Sequence, residues 1–407
     1  MILGMNSASQ HVLVQGIKFF VPIRRLLRRL HKTHAHHNRK LHYDEYTALL
    51  LLAFFQPASQ TLRWVQQASG LKRIQTKLGV SRASLGSLSD ASRVFDPELL
   101  RQIFEQLAAE AGALDAHPRP QGLPAELRVI AADGTVWETL PKMARALFEL
   151  PLTRRRKGVF KGHFQFDVLQ HIPCSAEFSM SDDGEAARLM RRLRSNSLYI
   201  LDRGFTNYAL YSKIMTAGSS FLARIKENCT VEVIQERPLD VTAQSIGVQR
   251  DALIRLGDDE HRLDQPLRLI QVKTTLPPPH NLHPLRNRGK HKAYAAGAAR
   301  EQELLLVTDC LDLDAQILVT LYRYRWQVEL FFRWFKCVLG SKHLMAQTEN
   351  GLNLQMYAAL IASLLVVIWT NRRPNQRLLN ALNFYLVGWS SWDELNAEIE
   401  RAPASKP

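Results

Sequence analysis

The sequence predicts an α/β protein in which a mixed sheet follows an all-helical region and is interrupted by a β-rich stretch. Three observations predict it. Residues 44–115 read as helical, and strand-like runs begin only after the Pro- and Gly-rich segment LDAHPRPQGLPAE (114–126). Three strands, a helix, a strand, a helix and a strand then follow in that order. After residue 311 helices dominate to the end.

The bulk composition bounds the function. With 407 residues the chain is long enough for two or three domains and a sizeable core. A hydrophobic content of 46% and a charged content of 22% are those of an ordinary globular protein. The charge balance is unusual: 53 Lys and Arg against 38 Asp and Glu give +15. That excess supplies the salt-dependent attraction to phosphate expected of a nucleic-acid binder, although anionic lipid or ribosomes fit the same sign. Cys174, Cys229, Cys310 and Cys337 have no C-x-x-C spacing, which points to reduced thiols rather than a zinc site or a disulfide framework. The start has neither a basic n-region nor an A-x-A-like site, and the most apolar run, MYAALIASLLVVIWT (356–370), is short for a membrane span. The expectation is a soluble cytoplasmic protein with no membrane partner.

Each element follows in order. Residues 1–43 hold eight Lys or Arg and no acid, and five His fall between His31 and His42; without Cys or carboxylate partners they read as a basic arm. SGLKRIQTKLGVSRASLGSLSDASRVF pairs two helical stretches across Gly79–Val80, the second entered through Ser81, which fits a helix-turn-helix or a plain helical bundle. LRVIAAD (127–133) reads as a buried strand leaving through Asp-Gly, and FKGHFQFDVLQ (160–170) alternates to put Phe160, Phe164, Phe166 and Val168 on one face of a half-buried strand. CSAEFSM (174–180), a helix at 184–194, the strand LYILD (198–202), a helix ending at Gly218 and the strand SSFLARIK (219–226) complete this part. Residues 227–310 offer TVEVI, ALIRL, RLIQVK and ELLLVTD with a basic, Pro-rich loop among them, a β-rich insertion. Helices at 312–340 and 353–371 follow.

Two strands end in a carboxylate, Asp133 and Asp202. A divalent-metal site at a sheet edge uses such residues, and so do ordinary Asp-Gly and Asp-Arg-Gly turns. Asp182 and Asp183 precede a helix and suit its N-terminus. In LYRYRWQVELFFRWFK (321–336), about 100° per residue places Tyr322, Arg325, Glu329 and Lys336 within one sector of about 60°. An exposed Arg325–Glu329 ladder has the same spacing. The aromatic flank of that helix favours an anchored ligand instead. Arg154, Arg155, Arg156 and Lys157, like the Arg286-to-Lys292 loop, are either DNA contacts or solvated charge.

The set Tyr322, Arg325, Glu329 and Lys336, spaced Y-x2-R-x3-E-x6-K, is similar to the signature of the insertion sequence 4 family of bacterial DDE transposases. AADGT around Asp133, LDRGF around Asp202, the KGHFQFD strand and the long β insertion resemble the same family, over residues 44–371. The resemblance implies a ribonuclease-H-like core in which Asp133, Asp202 and Glu329 bind two Mg²⁺ ions, with Mn²⁺ a substitute. It implies that Tyr322, Arg325 and Lys336 contact phosphates at the transposon end. The expected activity is metal-dependent cleavage at transposon ends and strand transfer into target DNA. The expected partners are double-stranded DNA (inverted repeats and target) and a second copy of the chain, in the bacterial cytoplasm at the nucleoid. A ribonuclease-H-like nuclease or resolvase without strand transfer, and a non-catalytic DNA-binding regulator, are the alternatives. The family's hairpin-forming members hold a flipped base with a Trp in the insertion. Residues 227–320 have none here, and Trp137 is at best a partial substitute. The expected division is 1–115 (helical, DNA-binding, with the basic arm), 127–226 (first part of the core), 227–310 (insertion) and 311–407 (helical completion).

Overall fold

The computed structural model describes residues 21–33, 38–55, 61–111, 119–138, 159–180, 184–258, 263–276, 300–340, 343–386 and 388–401. Arg154 to Lys157, the loop 286–292, Asp182, Asp183 and part of the His-rich tract lie outside them. In chain order the elements are α1 (Val21–His31), α2 (Tyr43–Phe54), α3 (Leu62–Ser69), α4 (Lys72–Leu78), α5 (Leu85–Val94), α6 (Pro97–Ala111), β1 (Arg128–Glu138), β2 (Val159–Asp167) and β3 (Ile172–Ser179). Next come α7 (Glu185–Met190), β4 (Ser197–Leu201), α8 (Tyr208–Thr216), β5 (Ser220–Arg224), β6 (Val231–Glu236), α9 (Val241–Ser245), β7 (Val248–Leu256), β8 (Leu267–Leu276) and β9 (Arg300–Thr308). The chain closes with α10 (Ala315–Tyr324), α11 (Trp326–Arg333), a π-helical turn (Trp334–Val338), α12 (Glu349–Thr370), α13 (Gln376–Leu386) and α14 (Trp392–Arg401). These form two compact units: Met1–Pro118 with Gly134–Asp182 and Trp326–Pro407, and Arg119–Asp133 with Asp183–Arg325.

The first unit is organised on α12. This helix is apolar all round, so it has no face to give to water, and it packs against α2, α5, α6 and β3. Its most apolar window is 89% buried within the protein. Thr348 caps its start by accepting from the Gly351 amide, and Asn350 Nδ2 donates to the Ser92 and Phe95 carbonyls at the end of α5. The apolar helix α2 is buried alike, and Glu45 within it keeps its charge satisfied: one oxygen accepts from the His42 amide and the other from Ser81, each at 2.8 Å. Gly79 turns the chain after α4 with φ +67°, as expected, but α5 begins at a Ser84 cap, three residues later than the sequence suggested. Ser84 Oγ accepts from the Ser87 amide at the start of α5, while the Ser81 amide donates to Glu45.

In the same unit β2 and β3 pair antiparallel, and the strand order is β3-β2-β1. β2 keeps the expected alternation as far as His163, with Lys161 and His163 half-buried, and is enclosed on both faces only from Phe164. A bulge at Gln165/Phe166 shifts its register, and Phe164 and Phe166 meet Phe331 of α11 while Gln165 and Asp167 are also enclosed.

The second unit carries the order β1-β4-β5-β9-β8-β7-β6. β1, β4 and β5 run parallel, and β9 through β6 pair antiparallel, so the sheet is mixed as the sequence implied. Arg268 on β8 and Asp251 on β7 form a buried pair, 2.6 Å and 2.9 Å between guanidinium and carboxylate. Arg268 also donates to the Leu311 and Leu313 carbonyls, which fixes the turn leading into α10. A buried charge pair survives only when its remaining donors are met, and here the chain itself meets them.

Two expected boundaries are corrected. β1 does not leave the sheet at Asp133-Gly134 but continues to Glu138, because Thr135, Val136 and Trp137 are strong strand formers. The turn reading of Asp133 therefore falls. The helix expected over 312–340 is not continuous: α10 stops at Tyr324, and the Arg325 amide bonds back only three residues, to Tyr322. After α11 the Leu339 amide bonds to Trp334, five residues back, the mark of the π turn.

Candidate active site

The parallel strands set the site. Ala132 of β1 pairs with Leu201 of β4, and Leu201 pairs with Ala223 of β5. The next residue on each chain is charged: Asp133, Asp202 and Arg224. Asp202 keeps an extended backbone (φ −78°, ψ 168°), so all three stand at one level and on one face of the strand row. Neighbouring strands are about 4.8 Å apart, which brings the two carboxylates within reach of one cation. Both aspartates and Arg224 are half-buried.

The end of α10 adds two more groups. Arg325 Nη1 lies 3.4 Å from Asp133 Oδ2, with both side chains mostly covered. Tyr322 is buried, and burial pushes its phenol up to about 12; Arg325 and Arg224 work against the shift and Asp202 adds to it. The phenol is therefore a neutral donor at physiological pH. Tyr322, Arg325, Asp133, Asp202 and Arg224 make one electrostatic cluster in the second unit.

Arg224 is the member that sequence reasoning missed. The signal is present in the strand SSFLARIK, where FLAR repeats the pattern of an apolar run closed by a charged residue seen in VIAAD and YILD.

The other two motif residues belong to the first unit. Glu329 is half-buried in the first turn of α11. The opposite side of that helix, through Gln327, Leu330 and Phe331, lines a cavity of about 260 Å³ with His171 and Arg373. Lys336 sits in the π turn, where its ammonium donates to the Val136 carbonyl at 2.5 Å and lies 4.6 Å from the centre of the Trp137 ring. Trp137 is 3% exposed, packed among Phe160, Phe178 and Phe335, so it offers no face to a flipped base. The partial substitution considered for it is excluded by that packing.

Among the described residues no group of three or more His, Cys, Asp or Glu is placed to hold a metal ion. A pair is a sufficient protein donor set for Mg²⁺, which takes one or two carboxylates and completes its shell with water and phosphate. Asp133 and Asp202 fit that requirement: hard oxygen donors, in register, with Arg325 already supplying positive charge beside one of them.

A carboxylate pair at the C-terminal edge of parallel strands, rimmed by two arginines and a neutral phenol, has the chemistry to hold a phosphate-bearing substrate. The family model described as "Transposase DDE domain" matches residues 124–365, more than half of the chain, and the chain belongs to that family. It is a DNA transposase. A protein named as a transposase, y4zB, from Sinorhizobium fredii (strain NBRC 101917 / NGR234) is 29% identical over 303 residues, covering 73% of this chain and 75% of its own. One named as the transposase of insertion sequence element IS5377, from Geobacillus stearothermophilus, is 24% identical over 208 residues, 49% and 48% of the two chains. Among solved structures, a piggyBac transposase synaptic complex with hairpin DNA matches 96% of this chain and 82% of its own at 11% identity. Its TM-score of 0.40 is too low to define the fold.

Proposed function

We propose that this transposase cuts the ends of a bacterial insertion sequence and joins them to target DNA at the Asp133–Asp202 site, with Glu329 as the third carboxylate. The observation that supports this best is the register of β1 and β4, which sets the two aspartates side by side. Mg²⁺, or Mn²⁺ in its place, would be held by Asp133, Asp202 and Glu329, and it supplies charge neutralisation and an activated oxygen nucleophile when bound. In the first step a water oxygen attacks the end phosphorus and the bond to the 3′ oxygen breaks, leaving a 3′-hydroxyl on the element. That hydroxyl then attacks a target phosphodiester, whose own 3′ oxygen leaves. Arg325 and Arg224 face the phosphate, Arg325 well suited to bidentate contact, and Tyr322 donates to a non-bridging oxygen.

The motif Tyr322, Arg325, Glu329 and Lys336 supports membership of the insertion sequence 4 family. The fold expected for it is ribonuclease-H-like, with a β-rich insertion at 227–310 and a helical DNA-binding region at 1–115. Arg154, Arg155, Arg156 and Lys157 are assigned to DNA contact. Two ends require two sites, so the working form is a homodimer on DNA in the cytoplasm. The test is a strand-transfer assay with Mg²⁺ on a duplex carrying the element's inverted repeat. Cleavage followed by joining is expected, and Glu329→Gln should remove both while DNA binding persists. Cleavage without joining would mean a nuclease or resolvase, binding with neither a regulator, and normal cutting by Glu329→Gln would remove Glu329 from the site.

A further inference from the structure

The helices α3, α4 and α5 carry a one-sided surface charge. Between residues 61 and 95 the chain has six cations, Arg63, Lys72, Arg73, Lys77, Arg82 and Arg93, against a single acid, Asp90. All six cations are exposed. An exposed cationic run of this kind attracts a polyanion, and the outer face of α5 gives that polyanion a shape to fit.

The inner side of α5 is fixed by Leu88, Ala91 and Ser92, which are buried where α5 packs on α2, α3 and α12. At about 100° per residue, Gly86, Ser89, Asp90 and Arg93 then face outward together. These residues are exposed or half-exposed, and Leu85 at the entry is 37% exposed. The outward residues near the start of the helix are small. A Cβ added at Gly86 would meet nothing but Ser84 Oγ, at 3.7 Å. A bare, small-residue helix face between flanking cations is what a duplex groove accepts: an α-helix about 10–12 Å across fits a major groove about 12 Å wide.

We propose that α5 enters the major groove of duplex DNA at the transposon end, with Gly86, Ser89 and Arg93 against base edges. Leu85 lies beside thymine methyl groups, and Lys72, Lys77 and Arg82 lie on the flanking phosphates. This deepens the reading of residues 1–115 as DNA-binding and rests on it. Ser84 and the αL turn at Gly79 fix where α5 starts, which sets the cations Lys72, Lys77 and Arg82 ahead of it.

The test is binding of the full-length protein to a fluorescent duplex bearing the inverted repeat that brackets the coding frame, and to a scrambled duplex, across a salt series. Gly86→Leu should leave the thermal midpoint unchanged or raised, since leucine is the better helix former and the position is open. It should also reduce affinity for the repeat at least tenfold. Arg93→Ala should reduce the preference for the repeat over the scrambled duplex by a similar factor. Lys77→Ala with Arg82→Ala should weaken both duplexes alike and lower the slope of log affinity against log salt by about two. Wild-type affinity in Gly86→Leu, with the repeat bound tightly by the unmodified chain, would overturn this inference alone. If the unmodified chain bound neither duplex, the DNA-binding reading of the whole N-terminal region would fall with it.

Discussion

The two halves of LYRYRWQVELFFRWFK are built differently. The first half is regular helix to Tyr324, and Tyr322 and the capping Arg325 lie beside the strand-edge aspartates. The second passes through a break at Arg325 and a π turn, and its Lys336 is held by a backbone carbonyl and an indole face. Helical arithmetic at 100° per residue puts Lys336 on the stripe of Tyr322, Arg325 and Glu329. That arithmetic applies only while each amide bonds four residues back, and here one bonds three back and another five. A motif's spacing thus says which residues matter more securely than it says where they point.

The largest effect should separate the halves at once. Asp202→Asn removes a charge from the strand edge and should lower cleavage of an end duplex by on the order of 10³-fold or more, with DNA affinity retained. A gel assay of nicked product against anisotropy on the same protein checks it. Next comes stability within the second unit. Arg268→Met leaves the buried Asp251 carboxylate with only the more distant Arg237, at 3.9 Å, and should lower folding stability by about 3 kcal/mol, read as a fall in thermal midpoint. The double change Asp251→Leu with Arg268→Met should recover most of that loss. A single change as harmless as the double would mean the pair carries no structural load.

Lys336→Met sharpens the comparison more finely. If Lys336 braces Val136 and Trp137, thermal stability should fall by about 1 kcal/mol and the salt slope of DNA binding should stay put. A slope reduced by about one, with stability unchanged, would return Lys336 to a phosphate. The smallest effect belongs to Tyr322. Its phenol is pushed from 10.0 to about 12 in the folded chain, so the folded state keeps the proton where the unfolded state gives it up. Its stabilising contribution is complete below pH 10 and is lost as pH rises through about 12. Tyr322→Phe should flatten that part of the alkaline unfolding curve and leave neutral stability nearly unchanged.

Much of this was legible in the sequence because the relevant physics is local. The strands around Asp133 and Asp202 are short apolar runs that read as buried, and α12 is apolar on every side. The Gly79 turn was likewise visible. What was not legible depends on partners far along the chain. Arg224 gains meaning only from its pairing level beside Leu201. The continuation of β1 past Gly134 was hidden by the Asp-Gly turn signal, although Thr135, Val136 and Trp137 favour a strand. The Arg268–Asp251 pair joins two strands of an otherwise featureless alternating pattern, and the burial of Trp137 depends on Phe178 and Phe335.

The central claim is that Asp133 and Asp202 form one divalent-metal site. Mn²⁺ binding by the full chain, followed by electron paramagnetic resonance without DNA or turnover, tests it most directly. The wild-type chain should bind Mn²⁺, and Asp133→Asn and Asp202→Asn should each weaken binding at least tenfold while the fold, read by circular dichroism, is unchanged. Unaltered Mn²⁺ affinity in both variants would contradict the claim.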